Sequence, residues 1–269
     1  IMKKIIWLTD THVTFSFLWK KYALVRHIKN LEADAVFLTG DISNGLFIDY
    51  VLYYLATHID IPIYFVLGNH DYYFKSFNDV HNDIRSLSKR YDNLFWLTER
   101  HPLKLKDDTC VIGTEGWYDS QLGDPEYMKF TIDWWLIEDF RKLKNMSERI
   151  ESFRSIAKNS ASNIENKLIQ AFNEGYKEVY LLTHVPPFKE ATRDEGTIME
   201  NFWLPYNTNS AMGRTIKNVM SNFPDKKLNI LAGHTHTRVV VNLDHNIECR
   251  VNNANYFNVG FNNKEIILI

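Results

Sequence analysis

Cysteine is nearly absent from this chain of 269 residues: there are two, Cys110 and Cys249, far apart and without metal-type spacing. That pattern excludes a disulfide framework and a thiolate zinc site, and it fits a reducing compartment. An excess of charge of one sign is also lacking, since 31 basic residues face 33 acidic ones for a formal net charge of −2. Such a balance offers no broad attraction for DNA, RNA or an anionic membrane, so nucleic acid is not the favoured partner. No apolar run is long enough to cross a bilayer, and Met2-Lys3-Lys4 leads directly into a strand pattern instead of a secretory apolar region. A cytoplasmic location, with Met2 as the native start, is the expectation. Proline and glycine nowhere gather into a linker, and there is no internal repeat or low-complexity stretch, so residues 2–269 read as one domain.

What the chain does have is five short blocks of metal-binding side chains spread along its length: Asp10-Thr11-His12, Gly40-Asp41, Gly68-Asn69-His70-Asp71, His184 and Gly233-His234-Thr235-His236. Each follows a short apolar run that reads as a buried strand. The runs are Ile5-Ile6-Trp7-Leu8, Ala35-Val36-Phe37-Leu38, Ile63-Tyr64-Phe65-Val66-Leu67, Val179-Tyr180-Leu181-Leu182 and Leu228-Asn229-Ile230-Leu231-Ala232. In open α/β sheets, ligands collect beyond the carboxyl ends of the strands, so loops this far apart in sequence can converge on one point. Together they read as a two-metal hydrolytic site.

Up to about residue 98, apolar runs alternate with amphipathic stretches at βαβ intervals, which predicts a parallel sheet with flanking helices. Val80, Ile84, Leu87 and Tyr91 recur at helical spacing after Ser76, a suitable N-cap. Leu94 to Leu97 reads as a strand, and Leu103-Lys104-Leu105 with Cys110-Val111-Ile112 as a hairpin. The segment at about 133–175 is expected to be mainly helical. Within it, Ile150, Phe153, Ala157, Ala161, Ile164, Leu168 and Phe172 keep one stripe, and Gly175 follows as terminator. The stretches 238–243, 247–251, 256–259 and 265–269 read as the short strands of a closing β-meander.

Two metals about 3.5–4 Å apart can clamp a phosphoryl group, provided that anionic and neutral ligands are joined by one bridge, for which Asp41 is the natural choice. Carboxylates and imidazoles without cysteine suit Mn, Fe, Zn or similar ions. Asp10 and His12, two apart, would lie on one side of an extended segment, and His234 and His236 would repeat that geometry. The glycines before Asp41, Asn69 and His234 remove side-chain bulk where the backbone turns beside the metals, or simply mark strand ends.

From Asp10 to His236 this ordered set resembles the calcineurin-like metallophosphoesterase superfamily. The resemblance implies a two-sheet αβ sandwich (αββα) with mixed sheets and helices on the outer faces. It also implies two divalent metal ions, Asp10, His12, Asp41 and His236 holding the first and Asp41, Asn69, His184 and His234 the second. His70 would contact the phosphate and protonate the leaving group, with Asp71 orienting its ring, although an aspartate there could instead cap the following segment. The implied reaction is in-line attack by a metal-bridging hydroxide on a small or medium phosphate ester, diester or monoester.

The blocks depart from the superfamily's protein Ser/Thr phosphatases, which carry arginines beside the second and third motifs. They depart also from its lipid-A-pathway pyrophosphohydrolases, which usually replace the residue at His70 by arginine. A nuclease of the same superfamily would call for a basic surface or an added DNA-binding domain, neither of which the sequence shows. A metal-retaining scaffold without catalysis would be expected to lose ligands, and none is missing. Substrate contacts are expected from 117–135, including Trp117, Tyr118, Tyr127, Trp134 and Trp135. They are also expected from 188–209, a structureless, lid-like loop including Arg193, Trp203 and Tyr206. Trp134 and Trp135 themselves read better as core or helix-packing residues. His27, His58, His81, His101 and His245 are read as surface or structural.

Overall fold

Apolar runs without polar interruption, such as those at 5–8 and 35–38, need burial on both faces, and they become inner strands of two stacked sheets. The computed structural model describes residues 3–14, 19–194, 196–254 and 265–269. In chain order, β1 (Lys4–Leu8), α1 (Lys20–Asn30), β2 (Ala35–Thr39), α2 (Ile48–His58), β3 (Ile63–Val66), α3 (Phe77–Arg90) and β4 (Leu94–Trp96) form the βαβ series expected. Then come the hairpin β5 (Leu103–Lys106) and β6 (Thr109–Gly113), and the helical segment α4 (Asp133–Leu136), α5 (Glu138–Arg141) and α6 (Met146–Asn173). They are followed by β7 (Glu178–Leu182), the small pair β8 (Arg193–Asp194) and β9 (Thr197–Ile198), α7 (Ser210–Ser221), β10 (Lys227–Ala232), β11 (Val239–Asp244), β12 (Ile247–Val251) and β13 (Glu265–Leu268).

The first sheet has the order β13-β1-β2-β3-β4 and the second β11-β12-β10-β7-β6-β5. Strands β1 to β4 run parallel, as do β6, β7, β10 and β12, with antiparallel strands at the edges, so both sheets are mixed. The period-2 alternation of side chains sorts the core into layers. Ile5, Trp7, Phe37 and Tyr64 of the first sheet meet Val111, Tyr180, Leu182 and Leu231 of the second. Their neighbours Ile6, Leu8, Val36, Leu38 and Phe65 pack under α1, α2 and α3. On the far side, Val179, Leu181, Leu228 and Ile230 pack under α6 and α7. Helix, sheet, sheet, helix is therefore the layer order. No helix among the described residues is long and apolar enough to cross a membrane.

Local signals set the helix ends. Ser76 caps α3, its hydroxyl accepting the Asp79 N–H at 3.1 Å, and Val80 and Ile84 are buried. Helix α6 begins a turn before its apolar stripe because Asn145 accepts from the N–H of Glu148 at 2.9 Å while the Glu148 carboxylate reaches back to the N–H of Lys144 at 2.8 Å. From the middle of α6, Lys167 sends its ammonium inward to the carbonyls of Leu97, Thr98 and Gly113 at 2.7–2.9 Å, which uses all three of its donors.

Three expectations are corrected. The closing segment is not a meander: β12 lies parallel to β10, and β13 crosses to the other sheet to pair antiparallel with β1. Among the described residues of this segment only β11 and β12 form a hairpin, and the stretch 256–259 lies outside the described residues. Trp134 is fully buried in the core, but Trp135 is 64% exposed and carries the Arg149 guanidinium over its ring. The segment 188–209 is also not structureless, since it holds the β8–β9 pair and two short 3-10 turns.

Candidate metal centre

The site lies beyond the carboxyl ends of five parallel strands, three from the first sheet and two from the second. Asp10 and His12 follow β1, Asp41 follows β2, Asn69 and His70 follow β3, His184 follows β7, and His234 and His236 follow β10. Since β2 lies between β1 and β3, Asp41 falls between the two flanking loops. Backbone bonds extend the ladder into these loops: Asp10 N–H to Gly40 O, His12 N–H to Asp41 O and Gly233 N–H to His184 O, at 2.9–3.0 Å.

The delivery of paired side chains differs from the extended geometry expected. Asp10, His12, Asp41, His234 and His236 all have positive φ, between 44° and 71°. Left-handed backbone is tolerated by Asp and several-fold enriched in His, but it still stores strain, and here it turns alternate side chains inward from a tightly coiled loop. The motif glycines answer a steric need. A Cβ on Gly68 would lie 2.2 Å from Asp41 Oδ1, and one on Gly233 would lie 2.4 Å from Asp10 Oδ2.

Two groups of donor atoms converge. In the first, one ligand atom each from Asp10, His12, Asp41 and His236 lie within 4.8 Å of one another. His236 Nε2 stands 3.0 Å from Asp10 Oδ1 and 3.4 Å from His12 Nε2. The other Asp10 oxygen accepts from the Thr9 hydroxyl at 2.5 Å and the His234 N–H at 3.1 Å, which leaves Oδ1 facing inward. In the second group, His184 Nε2 lies 3.1 Å from Asn69 Oδ1, 3.2 Å from His234 Nδ1 and 3.3 Å from Asp41 Oδ1. Asp41 faces both: Oδ1 toward His184, Oδ2 toward His12 at 3.8 Å and His70 at 3.7 Å.

The ring partners fix which nitrogen is offered. Carbonyl oxygens only accept, so His184 donates from Nδ1 to Thr39 O at 2.8 Å, and His234 donates from Nε2 to Tyr206 O at 2.9 Å. Each ring then presents its other nitrogen to the second group. Burial pushes Asp41 upward, but the charges of His184 and His70 outweigh it and hold the carboxyl well below its usual range. Asp10 behaves alike, with burial opposed by His236. Burial lowers His184, yet Asp41 raises it to about 10. His12, lowered to about 3 by burial, and His234, lowered to about 4 by burial and by the charge of His184, remain neutral donors. Buried carboxylates that call for positive charge, beside neutral imidazole lone pairs, fit divalent cations.

Asp71 is wholly buried and its oxygens accept the N–H groups of Ser43 at 2.7 Å, Gly68 at 2.9 Å and Ile42 at 3.3 Å. These bonds tie the Asp41 loop to the Gly68 loop. Burial first, and then Asp41, raises its carboxyl to about 7. The His70 ring lies between Tyr73 and His12, with centroids 4.4 and 4.8 Å away.

A cavity of about 440 Å³ opens beside the two groups, walled by Asn69, His70, Tyr73, Tyr118, Trp203 and Tyr206 among others. Both segments expected to contact substrate thus contribute, but Arg193 does not reach the cavity. Its guanidinium is spent on the carbonyls of Glu190 and Gly196.

The sequence pattern of the calcineurin-like phosphoesterases matches residues 3–238, which holds every block. The chain belongs to the calcineurin-like phosphoesterase family. Members of this family use divalent metals, and the four-residue cluster of this chain is a candidate place for one. No curated protein sequence matches the chain. Among solved structures, it resembles a phosphopantetheinyl hydrolase from Mycobacterium tuberculosis, with a TM-score of 0.67 at 12% identity over 99% of this chain and 95% of that one. It also resembles a dimetal phosphatase from Danio rerio, with a TM-score of 0.56 at 13% identity over 93% and 86% of the two chains. The protein TT1561 of Thermus thermophilus superposes with a TM-score of 0.57 at 12% identity, over 100% and 99%. At such identities the likeness is one of fold.

Sequence reasoning missed the supports of the site: Thr9, the carbonyls of Thr39 and Tyr206, and the side chains of Tyr73 and Asp133. The carbonyls carry no sequence signal at all. Asp133 carried a faint one, a single acid inside the apolar run Ile132 to Ile137.

Proposed function

We propose that the protein is a phosphoesterase that uses two divalent ions, held by Asp10, His12, Asp41 and His236 and by Asp41, Asn69, His184 and His234. The observation that carries this reading is the placement of Asp41, whose two oxygens face different donor groups as a bridging carboxylate must. Bound there, the ions supply concentrated positive charge and an activated water.

The chain's own residues do the rest. His70, with its side chain 25% exposed at the edge of the cavity, is the lining imidazole that neither proposed ion uses, and it is offered as the donor to a leaving group. A water oxygen attacks phosphorus opposite the leaving oxygen and gives up a proton to solvent, the P–O bond breaks, and His70 passes its Nε2 proton to the departing alkoxide. Tyr73 packs on the His70 ring and limits its rotation, and Asp71 holds the loops on either side. Among the described residues the cavity lining contains no lysine or arginine, which favours a small or medium ester over a polyanionic strand.

The test is hydrolysis of bis-p-nitrophenyl phosphate and p-nitrophenyl phosphate by metal-stripped protein reloaded with Mn, Fe or Zn. Activity is expected only after loading, and Asp41→Ala should lose it. His70→Ala should keep both ions but slow hydrolysis by about 10²–10⁴-fold, most for alkyl leaving groups that need protonation. Equal turnover by stripped protein, or near-normal turnover by Asp41→Ala, refutes the proposal.

A further inference from the structure

Asp133 lies outside the five blocks, in the segment between β6 and α6, yet it is 1% exposed and turned toward the site. Its Oδ1 accepts from the Tyr73 hydroxyl at 2.6 Å and from Asn69 Nδ2 at 3.1 Å, and its Oδ2 accepts from the Tyr118 hydroxyl at 2.5 Å. The Asn69 amide nitrogen also lies 3.3 Å from the Tyr73 oxygen. Burial and the neighbouring Asp133 push both phenols upward, so Tyr73 and Tyr118 stay protonated and able to donate.

This arrangement removes an ambiguity that asparagine always has. An amide can present either its oxygen or its nitrogen to a cation, and only the oxygen has a lone pair to offer. With acceptors on the outer side, the amide nitrogen is drawn outward and Oδ1 turns toward His184 Nε2, 3.1 Å away. A flipped amide would set oxygen against oxygen at Asp133 and turn inward a nitrogen with no lone pair to offer a cation. The same carboxylate fixes the Tyr73 ring that packs on His70, and the Tyr118 ring that lies 6.1 Å from His234.

We infer that Asp133 is a positioning residue for the second metal, holding the Asn69 amide with its oxygen inward and, through Tyr73 and Tyr118, steadying the rings beside His70 and His234. The inference rests on the two-ion reading and adds a fifth residue on which the second ion depends without touching it.

Metal-stripped wild type, Asp133→Ala and Asp133→Asn are titrated with Mn²⁺ alone by calorimetry, with metal content checked by elemental analysis. Wild type should take two ions. Asp133→Ala should keep one at an affinity within about 3-fold and bind the other about 10–100-fold more weakly, the usual effect of losing a residue that orients a ligand. Asp133→Asn retains an acceptor oxygen for Asn69 and should recover most of that loss. Wild-type affinity for both ions in Asp133→Ala, or equal weakening of both, overturns the inference alone. Failure of the wild type to take a second ion overturns the two-ion reading and this inference together. Should Asp133→Ala not fold, the near-isosteric Asp133→Leu, which keeps the volume and removes both acceptor oxygens, takes its place: weakening of one ion with the other within about 3-fold is expected, and unchanged affinity for both, or equal weakening of both, overturns the inference.

Discussion

A single methyl group at position 68 should cripple this site while leaving the fold in place. Gly68 does not need positive φ, so alanine meets no backbone objection there, and the whole effect is one of space. Its Cβ would sit 2.2 Å from Asp41 Oδ1, 2.5 Å from Asp41 N and 2.8 Å from His184 Cε1. Non-bonded carbon and oxygen settle at about 3.3 Å or more, so Asp41 must retreat by about 1 Å. A misplacement of about 1 Å costs about 100-fold in rate, or about 2.7 kcal/mol of barrier. Overpacking should also lower the unfolding free energy by about 1–3 kcal/mol. The assay is kcat/KM for bis-p-nitrophenyl phosphate in saturating Mn²⁺, with urea unfolding of the metal-free protein alongside. Gly175→Ala is the control: that glycine sits after α6 at φ +94° with nothing within 4 Å of its would-be Cβ. It should cost about 1–2 kcal/mol through left-handed strain and leave kcat/KM unchanged. Turnover by Gly68→Ala within 3-fold of wild type would refute the claim that Gly68 is required by the position of Asp41.

Other consequences can be measured separately. Burial lowers Lys167 from 10.5 to about 8, against the pull of Glu115 and Glu99. Between those two values the unfolded chain binds more protons than the folded one, so stability should rise with pH across that window, by at most on the order of 3 kcal/mol. Urea midpoints at pH 7.5 and 10 should show this rise in wild type and not in Lys167→Met, and parallel behaviour of the two would sink the argument. Ser76→Ala should cost about 1 kcal/mol by removing the cap of α3, with hydrolysis untouched; a loss below about 0.2 kcal/mol contradicts it. Trp203, 47% exposed on the cavity wall, should contribute binding without chemistry. Trp203→Ala is therefore expected to raise KM for p-nitrophenyl esters by roughly 5-fold with kcat unchanged, and a fall in kcat alone would contradict that role.

The strands that carry the site were legible because each is an apolar run that ends in a ligand-type residue, a pattern needing only burial on both faces and a sharp exit. The layer order was implied by the family resemblance, and the alternation of strands and helices is only compatible with it. Partner choice was not legible: Ile266, Ile267 and Leu268 read as a strand, but nothing in three apolar residues says that they pair with β1 and not with β12. The exits were misjudged because two-residue spacing suits extended backbone, whereas His and Asp also enter the left-handed region that Asp10, His12 and Asp41 adopt. Trp135 was misread because composition cannot tell which of two adjacent tryptophans faces inward. Asp133 escaped because its partners Asn69 and Tyr73 stand 64 and 60 positions away, and a hydrogen bond at that distance leaves no periodicity behind.

The pairing of β13 with β1 has a consequence for how the molecule is made. The edge of β1 is closed by residues about 260 positions further along, through Lys4 opposite Leu268 and the mutual backbone bonds of Lys3 and Ile269. At ordinary translation rates the nascent chain therefore carries an open strand edge for roughly 10–50 s before its partner leaves the ribosome. The loop bearing Asp10 and His12 hangs from that strand, so settling of that loop should await the arrival of β13.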